Sequence, residues 1–501
     1  MSESVVPGSR RRVRAGLVAA LVTVVGASAL AVVATRSDGG AGGAAVAAAV
    51  RPVVAPSPTM IPPATEAPAP APVATSSSTT TMTTTVAPPP APPLHVAAAR
   101  PPAPPPAPLT LTTALQQALG GMSGCLIIQD DGATIFDRDS GSAFVPASSQ
   151  KLLVAAAALS RLGPDFRFET RVVAAHPPQD GSVDDAWLVG AGDPYLATPE
   201  YVGYLATKVR TADLPMTPMA ILADELVARG VRAIPGGLHT DESRYEPQRS
   251  VPSWKASYVT EAEVGSLGAL TVNEGLASWG PSQTVASDPA VSAATALGRL
   301  LGDRGVALPA PTAGGTAPPR SVVLATVRSA PLAQIVAGML RASDNYVAEM
   351  LVKELDHQYG GPGLTAGGTA RVLEEDGRLG VPVEGVHLGD GSGLDVGNRA
   401  TCRALLGALN LSRLEPFSVL DSGLAIAGHT GTLAKRYVGS PADGRLAAKT
   451  GWINGAAAMV GRIAGQPTRR FALIVNGQFG WPAAQAIEDR IVALLTSGLA
   501  L

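Results

Sequence analysis

Three short polar motifs, Ser148-Ser149-Gln150-Lys151, Ser343-Asp344-Asn345 and Lys449-Thr450-Gly451, stand in that order along the chain. Their surroundings give each a different setting. The first leads into the apolar run Lys151 to Leu159, which reads as a buried helix closed by Gly163-Pro164. The second falls between the helical stretches Leu332 to Leu340 and Tyr346 to Leu355, and the third reads as strand before a glycine. Any one of them alone reads as an ordinary cap or strand end. To act together they must converge across nearly two hundred residues between Lys151 and Ser343. That gap far exceeds one compact helical lobe, so the fold must be a main domain interrupted by an insert.

The residue types suit acyl transfer. Residues three apart on a helix share a face, which puts the Lys151 amine beside the Ser148 hydroxyl. Burial, or a second cation such as Lys449, lowers a lysine pKa and turns it into a base. The chain has only six lysines, Lys151, Lys208, Lys255, Lys353, Lys435 and Lys449, among 38 lysines plus arginines. Arginine cannot release its proton, so a chain that prefers it still needs lysine where a proton moves. In this reading Ser148 is the nucleophile, Lys151 the general base and Ser343 a proton relay to the leaving amine. Asn345 orients Lys151 and the substrate amide, while Lys449 and Thr450 face a free substrate carboxylate. The oxyanion is held by the backbone N–H groups of Ser148 and of Trp452, just past Gly451. The six histidines show no metal-ligand spacing and read as structural or exposed. The chemistry calls for no metal and no cofactor.

The three motifs in this order match the set known from penicillin-binding proteins and class A β-lactamases. With the long gap, the region from about Leu109 to Leu501 resembles the DacB type of D-alanyl-D-alanine carboxypeptidase/endopeptidase. The resemblance also includes Gly163-Pro164-Asp165-Phe166-Arg167-Phe168, Gly192-Asp193-Pro194, Ser329-Ala330-Pro331-Leu332, Asp390-Gly391-Ser392-Gly393-Leu394 and Gly431-Thr432-Leu433. It implies an α+β fold: a β-lactamase/transpeptidase-like domain with an antiparallel sheet flanked by helices, plus a smaller inserted domain. It further implies peptidoglycan stem peptides as substrate and β-lactams as inhibitors. One departure is Trp452, where family members often carry Thr or Ser. Two alternatives compete. A β-lactamase needs a deacylating base such as the glutamate of an E-x-x-L-N loop after the second motif, and no such segment occurs. A non-catalytic wall-binding scaffold would be expected to have lost motif residues, and none is lost.

Arg10, Arg11, Arg12 and Arg14 precede the uncharged apolar run Ala15 to Thr35, an export signal. We read residues 1–36 as a cytoplasmic tail and signal anchor, with Ala27-Ser28-Ala29 as the competing cleavage-like site. Residues 37–108 are dominated by Ala, Pro, Ser and Thr and cannot bury a core. At about 3.1 Å per extended residue this tether reaches on the order of 200 Å. The expected domains are 109–165 with 323–501 for the main domain and 166–322 for the insert. Strands are expected at Leu446 to Ile463 and Phe471 to Gly477, with an amphipathic helix over Ala483 to Leu495. The formal net charge of −2 and the lack of a basic patch argue against nucleic acid as a partner. Cys125 and Cys402 are the only cysteines. An exported pair can form a disulfide, but nothing in the sequence places them close.

Overall fold

The computed structural model describes residues 110–312 and 314–500. The apolar run Ala15 to Thr35 and the Pro/Ala/Thr-rich stretch 37–108 lie outside the described residues. Among the described residues no helix is long and apolar enough to cross a membrane.

Strand Ser123–Asp130 shows how the main layer is built. Side chains alternate across a strand, and Cys125-Leu126-Ile127-Ile128 is apolar at successive positions, so both of its faces need cover. Cys125 and Ile127 pack into one hydrophobic cluster, Leu126 and Ile128 into another. The strand lies within a six-stranded antiparallel sheet in the order Ala425–Ile426, Leu446–Ile453, Ala456–Ile463, Arg469–Asn476, Ser123–Asp130, Ala133–Arg138. Helices Lys151–Leu162, Leu332–Ala342, Asn345–Gln358 and Cys402–Asn410 supply the cluster on the Cys125 face. Helices Leu111–Leu119 and Trp481–Thr496 supply the one on the Leu126 face. The architecture is α+β, as expected. The stretch Leu446 to Ile463 resolves into a hairpin, because Gly455 takes a positive φ of 85° between two strands paired from Leu446↔Ile463 to Ile453↔Ala456.

A second sheet holds Val322–Arg328, Glu169–Ala174, Asp185–Val189 and Gly237–Asp241 in that order, with the last pair parallel and the others antiparallel. Helices Ala220–Ala228 and Pro289–Gly302 complete a separate core around it. Strand Val322–Arg328 straddles the expected boundary at 322/323. It pairs along its length with Glu169–Ala174, from Val322↔Ala174 to Arg328↔Glu169.

Cys125 and Cys402 form a disulfide, with Cα atoms 6.0 Å apart across a sequence separation of 277 residues. It ties a central strand to the first turn of helix Cys402–Asn410.

Candidate active site

The first motif begins in a single 3-10 turn, Ala147–Gln150, and Lys151 opens the α-helix behind it. Ala147 enters with a φ of 46°, a left-handed conformation rare for a residue with a Cβ. Two glycines allow other backbone to close on this turn. A Cβ on Gly451 would stand 2.9 Å from the Pro146 carbonyl oxygen and the Ser149 nitrogen, and one on Gly393 would stand 2.2 Å from the Ala147 oxygen. The third motif therefore lies directly against the turn that carries Ser148.

The Lys151 amine is fully buried and has three neighbours. Nζ lies 2.8 Å from Asn345 Oδ1, 2.5 Å from the Ser392 carbonyl oxygen and 2.8 Å from Ser148 Oγ. The first two are acceptors only: Asn345 donates its Nδ2 to the Glu263 carbonyl at 3.0 Å, which turns Oδ1 toward the lysine. Two amine hydrogens are thus taken, and the remaining tetrahedral position points at Ser148 Oγ. Burial brings the Lys151 pKa down to about 7, although the nearby Asp390, Glu349 and Asp344 carboxylates act against the drop.

Ser343 ends helix Leu332–Ala342 in a left-handed conformation, φ 58° and ψ 45°. Asp344 then caps the next helix by accepting from the Val347 N–H at 3.1 Å, and Asn345 is that helix's first residue. Lys449 donates to Ser343 Oγ at 2.7 Å and to the Thr450 carbonyl at 2.5 Å. Its pKa is held well below the ordinary value by burial and by the cations Lys151 and Arg210. Thr450 Oγ1 donates to Thr432 Oγ1 at 2.9 Å. Trp452 packs edge-to-face on Trp481, centroids 5.5 Å apart.

All eight residues expected at the site are thus brought to one place. Six of them, Ser148, Ser343, Asn345, Thr450, Gly451 and Trp452, line a cleft of about 960 Å³, with Lys151 and Lys449 in its wall. Several groups escaped the motif reading. Asp390 accepts from Gln150 Nε2, Trp254 Nε1, Asn398 Nδ2 and the Gly393 N–H, which shapes the loop whose Ser392 carbonyl holds Lys151. Glu349 accepts from the Gly391 and Ser392 N–H groups, and burial beside Asp390 lifts its pKa to about 8. The glycine spacing of Asp390-Gly391-Ser392-Gly393 was the available signal for this loop. His239, by contrast, sits between Asp185 and Thr312 in the second sheet, a structural setting.

The family model for D-Ala-D-Ala carboxypeptidase 3 (S13) matches residues 110–283 and 280–497. A D-alanyl-D-alanine carboxypeptidase from an Actinomadura strain is 29% identical over 456 residues, covering 75% of this chain and 81% of that protein. Carboxypeptidase DacB of Mycolicibacterium smegmatis is 31% identical over 410 residues, covering 77% of this chain and 84% of that one. The fold is similar to that of penicillin-binding protein 4 (dacB) from Haemophilus influenzae, with a TM-score of 0.63 at 21% identity over 75% of this chain and 97% of that one. A match of that extent, on a chain whose three motifs meet in one cleft, places this protein in the D-Ala-D-Ala carboxypeptidase 3 (S13) family of serine peptidases.

Proposed function

We propose that the protein is an exported D-alanyl-D-alanine carboxypeptidase that trims peptidoglycan stem peptides through an acyl-enzyme on Ser148. The observation that carries this reading is the Lys151 amine, with two hydrogens held by carbonyl oxygens and its third direction at Ser148 Oγ. Neutral Lys151 takes the Oγ proton as Oγ attacks the carbonyl of the penultimate residue. The oxyanion forms between the backbone N–H groups of Ser148 and Trp452. The C–N bond then breaks, and the leaving amine takes, by way of Ser343 Oγ, the proton that Lys151 accepted; Lys449 contacts that hydroxyl. Water next gives a proton to Lys151 as it attacks the ester, and that proton returns to Ser148 Oγ as the shortened peptide leaves. Lys449 and Thr450 face the terminal carboxylate, and Trp452 lines the cleft beside them.

The disulfide supports work outside the cytoplasm, since such bonds persist in oxidising compartments. In this reading the N-terminal apolar run anchors the chain and the proline-rich stretch tethers the enzyme to the wall.

Intact mass of the chain after exposure to benzylpenicillin, with Ser148→Ala beside it, tests the proposal. A lasting adduct on the parent and none on the variant is expected. Drug hydrolysed without an adduct would favour a β-lactamase, and intact drug with no adduct would favour a wall-binding scaffold.

A further inference from the structure

The second motif stands in a strained backbone, and what holds it comes from the long segment between the first and second motifs. Ser343 is a non-glycine residue in the left-handed region, a conformation that persists only where its surroundings over-determine it. It also ends a helix, whose last carbonyls lack intrahelical donors. Arg210, between helix Pro199–Ala206 and strand Thr217–Pro218, meets both needs. Its Nε donates to the Ala342 carbonyl and its Nη2 to the Ser343 carbonyl at 3.4 Å. The same intervening segment supplies the Glu263 carbonyl that fixes the Asn345 amide. Arg210 also lines the cleft.

We propose that Arg210 is a positioning residue for the reaction: its guanidinium grips the Ala342 and Ser343 carbonyls, aims the Ser343 hydroxyl at Lys449, and sets a fixed positive charge beside both motif lysines. The proposal rests on the acyl-enzyme reading above. Arg210 also stands among the charges that lower the pKa of both Lys151 and Lys449, with burial the larger cause for each. The other titratable groups facing them are Asp390, Glu349 and Asp344 toward Lys151, and Glu488 toward Lys449. Near Arg210 itself stand Asp344, Glu263 and Glu274. Removing the cation should therefore raise both lysine pKa values and shrink the neutral fraction of Lys151 at a given pH.

The test is the rate of benzylpenicillin acylation across pH for the parent, Arg210→Gln and Arg210→Lys, each checked for a cooperative thermal transition. Arg210→Gln should acylate about ten- to a hundredfold more slowly at neutral pH, with the acid limb of its profile moved to higher pH. Arg210→Lys keeps the charge without the two-point grip, so its limb should stay at the parent's position while its rate stays below the parent's. Equal rates and profiles for parent and Arg210→Gln would overturn the proposal and leave the acyl-enzyme intact. So would a lowered melting temperature with unchanged acylation in either variant. A parent that is not acylated sinks the acyl-enzyme reading and this one with it.

Discussion

Lys151 spends its whole hydrogen-bonding capacity on three partners inside the fold, and that burial governs how the site responds to pH. With its pKa brought down to about 7, acylation of the free enzyme should rise through neutrality as the amine loses its proton, with half its maximum near pH 7. Lys151→Arg removes the titrating base and keeps the charge. Its acylation should fall by about 10²–10⁴, followed as adduct mass against time; a variant that keeps the parent's rate would remove the lysine from the base role. Gly451 carries a second residue-scale prediction. A methyl group there meets the Pro146 oxygen and Ser149 nitrogen at 2.9 Å, both of them backbone that cannot swing aside. Gly451→Ala should fold, as judged by circular dichroism, yet lose acylation by about tenfold or more, since a small displacement of a nucleophile is costly. Unchanged acylation would mean that the strand and the nucleophile turn can separate freely.

Helix Thr365–Arg378 buries a carboxyl that nothing satisfies. Asp376 is fully buried, and neither of its oxygens has a hydrogen-bond partner among the described residues. Burial, with Glu375 beside it, holds its pKa well above the ordinary 3.8. Above that ordinary value the folded chain keeps a proton that the unfolded chain has lost, so the folded state weakens as pH rises. Asp376→Asn removes this dependence. The variant should gain on the parent by up to about 1.4 kcal/mol per pH unit above the ordinary carboxyl range, measured as urea midpoints at about pH 5 and about pH 8. A difference that does not grow with pH would show that the carboxyl ionises freely in the fold. This helix was not among the expected elements, although others were legible in outline. The helix Asn345–Gln358 and the strands from Leu446 onward follow the expected apolar patterns. Strand Val322–Arg328 did not, because its partner Glu169–Ala174 stands some 150 residues earlier, and local pattern carries no information about pairing at that range.

Across the whole molecule, lysine is concentrated at one place. Lys208, Lys255 and Lys435 are exposed and line the cleft, Lys151 and Lys449 stand in its wall, and only Lys353 lies elsewhere, bonded to the Gly363 carbonyl. The three exposed cations line the same cleft as the motif residues, where their charge favours a carboxylate-bearing peptide. Replacing all three with alanine should raise KM for a peptide ending in D-Ala-D-Ala by about tenfold at low salt and flatten its salt dependence, with kcat little changed. A KM that keeps the parent's response to salt would take these lysines out of substrate capture.

The sequence by itself determined the chemistry. A serine and a lysine three residues apart at a helix start, a Ser-Asp-Asn turn and a Lys-Thr-Gly strand each carry their meaning in local spacing, and local spacing survives in a linear reading. Only the tertiary structure decided what surrounds them. Arg210 at the Ser343 carbonyl, Glu349 and Asp390 behind Lys151, and Cys125 bonded to Cys402 are contacts across tens to hundreds of residues. The physical reason is that burial and charge act through space: a lysine becomes a base because of what the fold packs around it, and no neighbour along the chain reports that.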